Sequence, residues 1–257
     1  MRPIRWPFLV GVGLALALLA LAACDGSVAP TPDADATALL LEAEKNTFAL
    51  DSVSFEIEMD MTIEADVMSM SMDMDVEGIA SGDFETVIFE SGGFDMEIDI
   101  SGLGKESIEA RIVNNRLQMR LPNGAWEDAG SMDDLGEDLF SDPLEAVTFE
   151  ELVAKKIITV RSLGTQTIDG TPAQHLRLVY DLQRTKELLS GEILSLMGEV
   201  LPAGEVPFDK IDRYRSDVWV SLDDHVIIRQ DADFSIVYSV EGMEFDATFS
   251  MSVRVTP

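Results

Sequence analysis

The sequence predicts an α+β fold, one large antiparallel sheet of about ten strands with about three helices packed against it. Three observations predict it. Apolar and polar residues alternate at period two over long stretches, the pattern of strands with one buried face. Short turn-forming links, Asn114-Asn115, Asp223-Asp224 and Glu241-Gly242, make successive strands antiparallel neighbours. Three other stretches abandon alternation for helical spacing.

The first residues stand apart from this sheet. MRPIRWP precedes FLVGVGLALALLALAAC: two arginines, an apolar run from Phe8 to Ala23 and a small-residue end, the layout of an export signal. The run is short of the roughly 20 apolar residues that a bilayer-spanning helix wants. Leu21-Ala22-Ala23-Cys24 resembles a bacterial lipobox, in which the cysteine thiol takes a diacylglyceryl group and becomes the first mature residue. Cys24 is the only cysteine, so it forms no intramolecular disulfide and is expected to be the lipidation site. Two acyl chains on one residue anchor stably, where one chain is marginal. DGSVAPTPDAD follows, a small, acidic, proline-containing run without periodicity that reads as a flexible tether reaching roughly 36 Å when extended. The expected boundaries are a leader over 1–23, the lipidated cysteine and tether over 24–35, and one domain over 36–257.

A helix over Thr37 to Leu50 puts Leu40, Ala43, Thr47 and Leu50 on one side. From Val53, VSFEIEMDMTIE sets Val53, Phe55, Ile57, Met59, Met61 and Ile63 against Ser54, Glu56, Glu58, Asp60, Thr62 and Glu64. The strand beginning at Val67 carries Met68, Met70, Met72 and Met74 on one face and Ser69, Ser71, Asp73 and Asp75 on the other. Phe94, Met96, Ile98 and Ile100 repeat the pattern. Ile108 to Ile112 and Leu117 to Leu121 flank the Asn114-Asn115 turn as a hairpin. WEDAGSMDDLGEDLFSD, from Trp126 to Asp142, reads as an acidic loop, and Asp142-Pro143 starts a helix that runs to about Lys155. A third helix over Leu182 to Leu201 carries Leu188, Leu189, Ile193, Met197 and Val200, with Gly191 and Gly198 weakening it. Ser216 to Leu222, Val226 to Val240 and a last strand with Met243, Phe245, Ala247, Phe249, Met251, Val253 and Val255 complete the sheet.

Charge excludes one class of partner. The chain carries 48 Asp and Glu against 18 Lys and Arg, a net charge of −30 that becomes −32 once Arg2 and Arg5 leave with the leader. Such a surface repels nucleic-acid phosphates and anionic head groups, so no nucleic acid is expected. Solubility, or life in high salt, accounts for the acidity. Area points the other way, toward an apolar partner. Ten strands at about 4.8 Å spacing and about 30 Å long give a face of roughly 1,400 Å². Three helices about 10 Å wide and 20 to 25 Å long cover on the order of 700 Å². Curling the sheet narrows that gap, and loops, a partner or a ligand must cover the rest.

A lipobox, a short tether, an alanine- and leucine-rich helix and then LDSVSFEIEMDM together resemble the LppX/LprG-type bacterial lipoproteins, which are similar in fold to the LolA/LolB lipoprotein carriers. RLQMRLPNGAWEDAG, FEELVAKK, TIDGTPAQHLRLVYDL and VWVSLDDHVIIRQ continue the resemblance over most of the mature chain, through alternation and not through a catalytic motif. The resemblance implies a large curved antiparallel sheet, a half-barrel with helices on its concave face, enclosing a cavity for acyl chains of lipids or glycolipids. The Met68 to Met74 ladder and the extreme acidity depart from the family's pattern.

The expected cavity lining is Phe55, Ile57, Met59, Met68, Met70, Met72, Met74, Phe94, Met96, Leu189, Ile193, Met197, Phe245 and Phe249, because methionine adapts to irregular apolar partners. Ordinary packing is the plainer reading of the same side chains. A soft Cu(I) site would need thioethers from neighbouring strands, since residues two apart on one strand sit about 6.6 Å from each other. DMDVEGIASGDFE approaches a calcium loop, with Asp73, Asp75, Glu77 and Gly78 at suitable offsets, but Phe84 replaces the bidentate Glu. His175 and His225 are the only histidines, and neither accompanies a GxSxG or HExxH arrangement. Both read as surface or edge residues. The sequence therefore predicts a monomeric, non-enzymatic, extracytoplasmic lipoprotein that needs no cofactor or metal, is held to the cell membrane through Cys24 and binds or carries a hydrophobic ligand. Its alternatives are a structural or interaction lipoprotein with a fully packed core, and a copper- or calcium-binding exported protein. Nothing in the sequence names a protein partner.

Overall fold

The computed structural model describes residues 33–66, 68–81, 86–100, 104–122, 124–132, 148–181, 183–185, 208–240 and 243–257. The expected leader, Cys24 and most of the expected tether lie outside the described residues, as do residues 142–147 and nearly all of the helix expected over Leu182 to Leu201. The described chain folds as α1 (Ala34–Phe48), β1 (Ser52–Ala65), β2 (Met68–Ser81), β3 (Thr86–Ile100), β4 (Gly104–Val113), β5 (Arg116–Arg120) and β6 (Glu127–Ser131). It continues through α2 (Phe149–Ala154), β7 (Ile158–Ile168), β8 (Thr171–Tyr180), β9 (Phe208–Ser221), β10 (Ile227–Val240) and β11 (Met243–Thr256).

Among the described residues eleven strands form one sheet, in the order β6-β5-β4-β3-β2-β1-β11-β10-β9-β8-β7. Every neighbouring pair is antiparallel. The chain enters at the middle, winds outward to β6, crosses to the far edge at β7 and winds back until β11 meets β1. The sheet stays open, with β6 and β7 as its edges, as a half-barrel requires. Tight turns drive this meander. Asn114 and Asn115 both hold positive φ, 53° and 61°, which suits the twist of a two-residue hairpin between β4 and β5. Asp169 and Gly170, at 48° and 87°, do the same between β7 and β8.

Alternation fixes which face is apolar. Met59 stands opposite Met74 on β2 and Met251 on β11, and Met61 opposite Met72 and Phe249. A one-residue slip would turn every one of these to the acidic side, so the register is strongly specified. The apolar, inner face holds two clusters. One gathers Val160, Leu176, Leu178, Val218 and Val220 with Leu40 and Ala43 of α1 and Phe149 and Leu152 of α2. The other gathers Met59, Met61, Met72, Met74, Phe94, Met96 and Phe249 of β1, β2, β3 and β11 with Ile108, Ile112 and Leu117 of β4 and β5.

Each helix is held by caps as well as by its apolar stripe. Asp33 caps α1 by accepting from Ala36 N at 3.0 Å, and Thr148 caps α2 by accepting from Glu151 N at 3.2 Å. Glu44 of α1 accepts from the Phe149 and Glu150 N–H groups at 2.6 and 3.3 Å, so one carboxylate serves the first turn of the other helix. Burial pushes the Glu44 carboxyl above its ordinary value of 4.5, and those two N–H groups act against that rise. Leu50, expected on the buried side of this helix, lies beyond its end at Phe48, and α1 starts two residues before the expected domain boundary at 36. A further difference is β6, five residues inside the expected acidic loop. EDAGS has little strand propensity; pairing with β5 and the Arg116–Asp128 ion pair hold it there.

Candidate functional site

The inner face can be followed strand by strand from the register. One row runs Ile108, Met96, Met72, Met61, Phe249, Phe234. The next runs Ala110, Phe94, Met74, Met59, Met251, Ala232 and continues to Ser216 and Leu178. A third runs Val76, Ile57, Val253, Gln230, Val218, Leu176. The phenyl rings of Phe234 and Phe249 lie 4.7 Å apart, tilted by 34°, where the two clusters meet. Phe55 meets Phe89 edge-on at 6.0 Å, and Gly78 makes room for it: a Cβ there would lie 2.4 Å from Phe55 Cζ and 2.8 Å from the Ile88 carbonyl oxygen.

The structure thus brings Phe55, Ile57, Met59, Met68, Met70, Met72, Met74, Phe94, Met96, Phe245 and Phe249 onto one continuous face. Leu189, Ile193 and Met197 lie outside the described residues. Met59, Met72, Met74, Phe94, Met96 and Phe249 are buried, whereas Phe55, Ile57, Met68, Met70 and Phe245 are half-buried. Among the described residues the two helices pack on the other half of the sheet: α1 against β7, β9 and β10, and α2 against α1 and β7. Residue reasoning left out Met61, Met251 and Phe234, which sit in the same rows; Met61 and Met251 carried the alternation signal that would have found them.

The opposite face is acidic. Asp60, Asp73, Asp95 and Glu109 stand in one cross-strand row that ends on Arg120. A trough of about 590 Å³ crosses β1 to β4 here, and eight of its twelve lining residues are polar, which sets it on the outer side. Asp73, Asp75 and Glu77 lie along extended β2 and not around a loop, so they point out in a line about 6.6 Å apart instead of converging. Among the described residues no group of three or more His, Cys, Asp or Glu is arranged to hold a metal ion.

His175 differs from its expected surface position. It is 5% exposed on β8, stacked on Trp219 of β9 at 4.5 Å and 12°. Gln166 bridges the pair, accepting from the Trp219 indole N–H at 3.0 Å and reaching His175 Nδ1 at 3.1 Å. His175 Nε2 lies 3.2 Å from Asp217 Oδ1, close but without hydrogen-bond geometry. Burial pushes the Asp217 carboxyl up, and hydrogen bonds from Arg177 at 2.8 Å and Arg215 at 2.5 Å outweigh it, holding the group below its ordinary 3.8. Gln166 at Nδ1, Trp219 stacked on the ring and Asp217 beside Nε2 brace β7, β8 and β9 against one another. His225 keeps its expected hairpin position, half-buried, with Nδ1 3.1 Å from Glu42 Oε1.

Among the described residues no helix is long and apolar enough to cross a membrane. No family model matches the chain, and no curated protein matches it. Solved structures similar to it include the lipoprotein LppX of Mycobacterium tuberculosis, 14% identical over 87% of this chain and 94% of that one, with a TM-score of 0.37. LprF of Mycobacterium bovis is 14% identical over 86% and 93%, at 0.36. A putative outer membrane lipoprotein-sorting protein domain of Vibrio parahaemolyticus is 9% identical over 84% and 90%, at 0.21.

Proposed function

We propose that this chain is an exported lipoprotein, anchored through a diacylglyceryl group on Cys24, that binds a hydrophobic ligand, a lipid or glycolipid, on the inner face of its sheet. Its division into leader (1–23), tether (24–35) and ligand-binding domain (36–257) belongs to the same proposal, with the last two tether residues already in the first turn of α1. One observation carries the reading. The apolar rows of β1 to β5 and β11 extend the inner face well past the strands on which α1 and α2 pack, and half-buried Phe55, Ile57, Met68, Met70 and Phe245 border it. Methionine suits such a face, since its unbranched, polarizable side chain repacks around acyl chains of varied shape. Acidic outer strands confine the ligand to one side. The function so described is binding or carriage, and it needs no catalytic group.

A packed, non-binding module is the second reading, favoured by the near-complete burial of Met59, Met72, Met74 and Met96. A bulky residue separates the two. Ile57→Trp or Met70→Trp should lower the lipid held by the purified chain while the β-sheet circular dichroism and the cooperativity of melting persist. Equal lipid content in variant and parent, or none in either, would favour the packed module.

A further inference from the structure

Two buried polar groups interrupt the inner face where its two apolar clusters meet. Ser216 of β9 continues the row of Met74, Met59 and Met251, separated from them only by Ala232; Gln230 of β10 continues the row of Val76, Ile57 and Val253. Because Gln230 pairs with Val218 and Ser216 with Ala232, the two side chains are diagonal neighbours on one face, about 7 Å apart and within reach of one small group. Ser216 is 0% exposed. Its Oγ and the Gln230 Nε2 are sealed from solvent and have no protein partner. Leaving one such donor unmade costs about 1–3 kcal/mol, and here two adjoin on a face that is otherwise hydrocarbon. Apolar residues of similar size would fill both positions at no such cost.

We infer that Ser216 and Gln230 form a polar subsite that receives a neutral acceptor oxygen of the bound ligand, an ester carbonyl between acyl chain and head, while the chain lies along the methionine rows. This rests on the lipid-binding reading and deepens it: the ligand is an acyl ester and not a bare hydrocarbon or alkyl ether. The position fits. Ser216 and Ala232 are adjacent small side chains between Met251 and Leu178, where the Met59 side adjoins the half covered by α1. Both groups are neutral donors, suited to a carbonyl oxygen, and the nearest charged network, around Asp217, faces the other side of β9.

The test uses the full chain as its host produces it, stripped of endogenous ligand, with a fluorescent diacylglycerol and its dialkyl ether counterpart of equal chain length. The parent should bind the ester about tenfold tighter than the ether, the size expected for two hydrogen bonds from sealed donors. The double variant Ser216→Ala, Gln230→Met should lose that preference, keep its affinity for the ether and melt no lower than the parent. Equal binding of ester and ether by the parent overturns the inference and leaves the lipid-binding reading standing. A double variant that melts lower yet keeps the ester preference also overturns it, marking the pair as structural, satisfied by a trapped water. Binding of neither probe by the parent overturns both readings together.

Discussion

Asp217 shows how much one carboxylate can organise. Its side chain is 2% exposed and receives two guanidinium groups beside the His175 ring. Its carboxyl lies below the ordinary 3.8, so its contribution to stability is complete above about that value and is lost as the pH falls through the lower folded-state value. Asp217→Asn should therefore cost about 2 kcal/mol at neutral pH, moderated because Arg177 and Arg215 remain partly solvated, and should flatten the acid limb of the stability profile. Urea denaturation from pH 7 to pH 2 reads both effects; an unchanged acid limb would remove Asp217 as its source. Gly78 makes the steric counterpart. Gly78→Ala should cost about 1–3 kcal/mol, because the added Cβ meets the Ile88 carbonyl, which cannot swing aside, as well as the Phe55 ring. None of this was legible in the sequence. HLRL around His175 reads like an outward strand face, and only the β8–β9 pairing, which lays Trp219 over the ring, buries it.

Among the elements, the strands with one polar face were the legible ones. β1, β2, β3 and β11 alternate so cleanly that their apolar phase is fixed before any tertiary contact is known. β6 was illegible because edge pairing holds it and its own residues do not. β9 was half legible: in SDVWVS both phases are apolar near the end, so the sequence does not say that Ser216 shares a face with Val218 and Val220. Gln230 did carry a signal, a polar residue in the phase of Ala232 and Phe234, which pattern reading passes over as noise. Between the helices, Glu44 is the joint. Glu44→Ala leaves the Phe149 and Glu150 N–H groups without their acceptor and should cost about 2 kcal/mol, whereas Glu44→Gln, which keeps one acceptor, should cost less. Thermal melts of the two variants check the order; equal losses would mean that packing and not capping joins the helices.

For the molecule as a whole, the economy lies in a sheet with one greasy side and one acidic side, begun and closed at its own centre by β1 and β11. The net charge of −30 favours dispersion in water, and the inner rows are the surface on which the proposed ligand would lie. Anchoring belongs to this scale. Cys24→Ser removes the only thiol, so the protein should lose its lipid mass increment and its partition into membranes; an unchanged mass and partition would refute the anchor. Mass spectrometry of the chain purified from its host without detergent tests the central claim most directly. The account predicts an acyl lipid bound non-covalently, beyond the Cys24 anchor, present in near-stoichiometric amount and depleted in Met70→Trp. A chain that carries no such lipid, and that binds no fluorescent acyl probe at micromolar concentration, would contradict it.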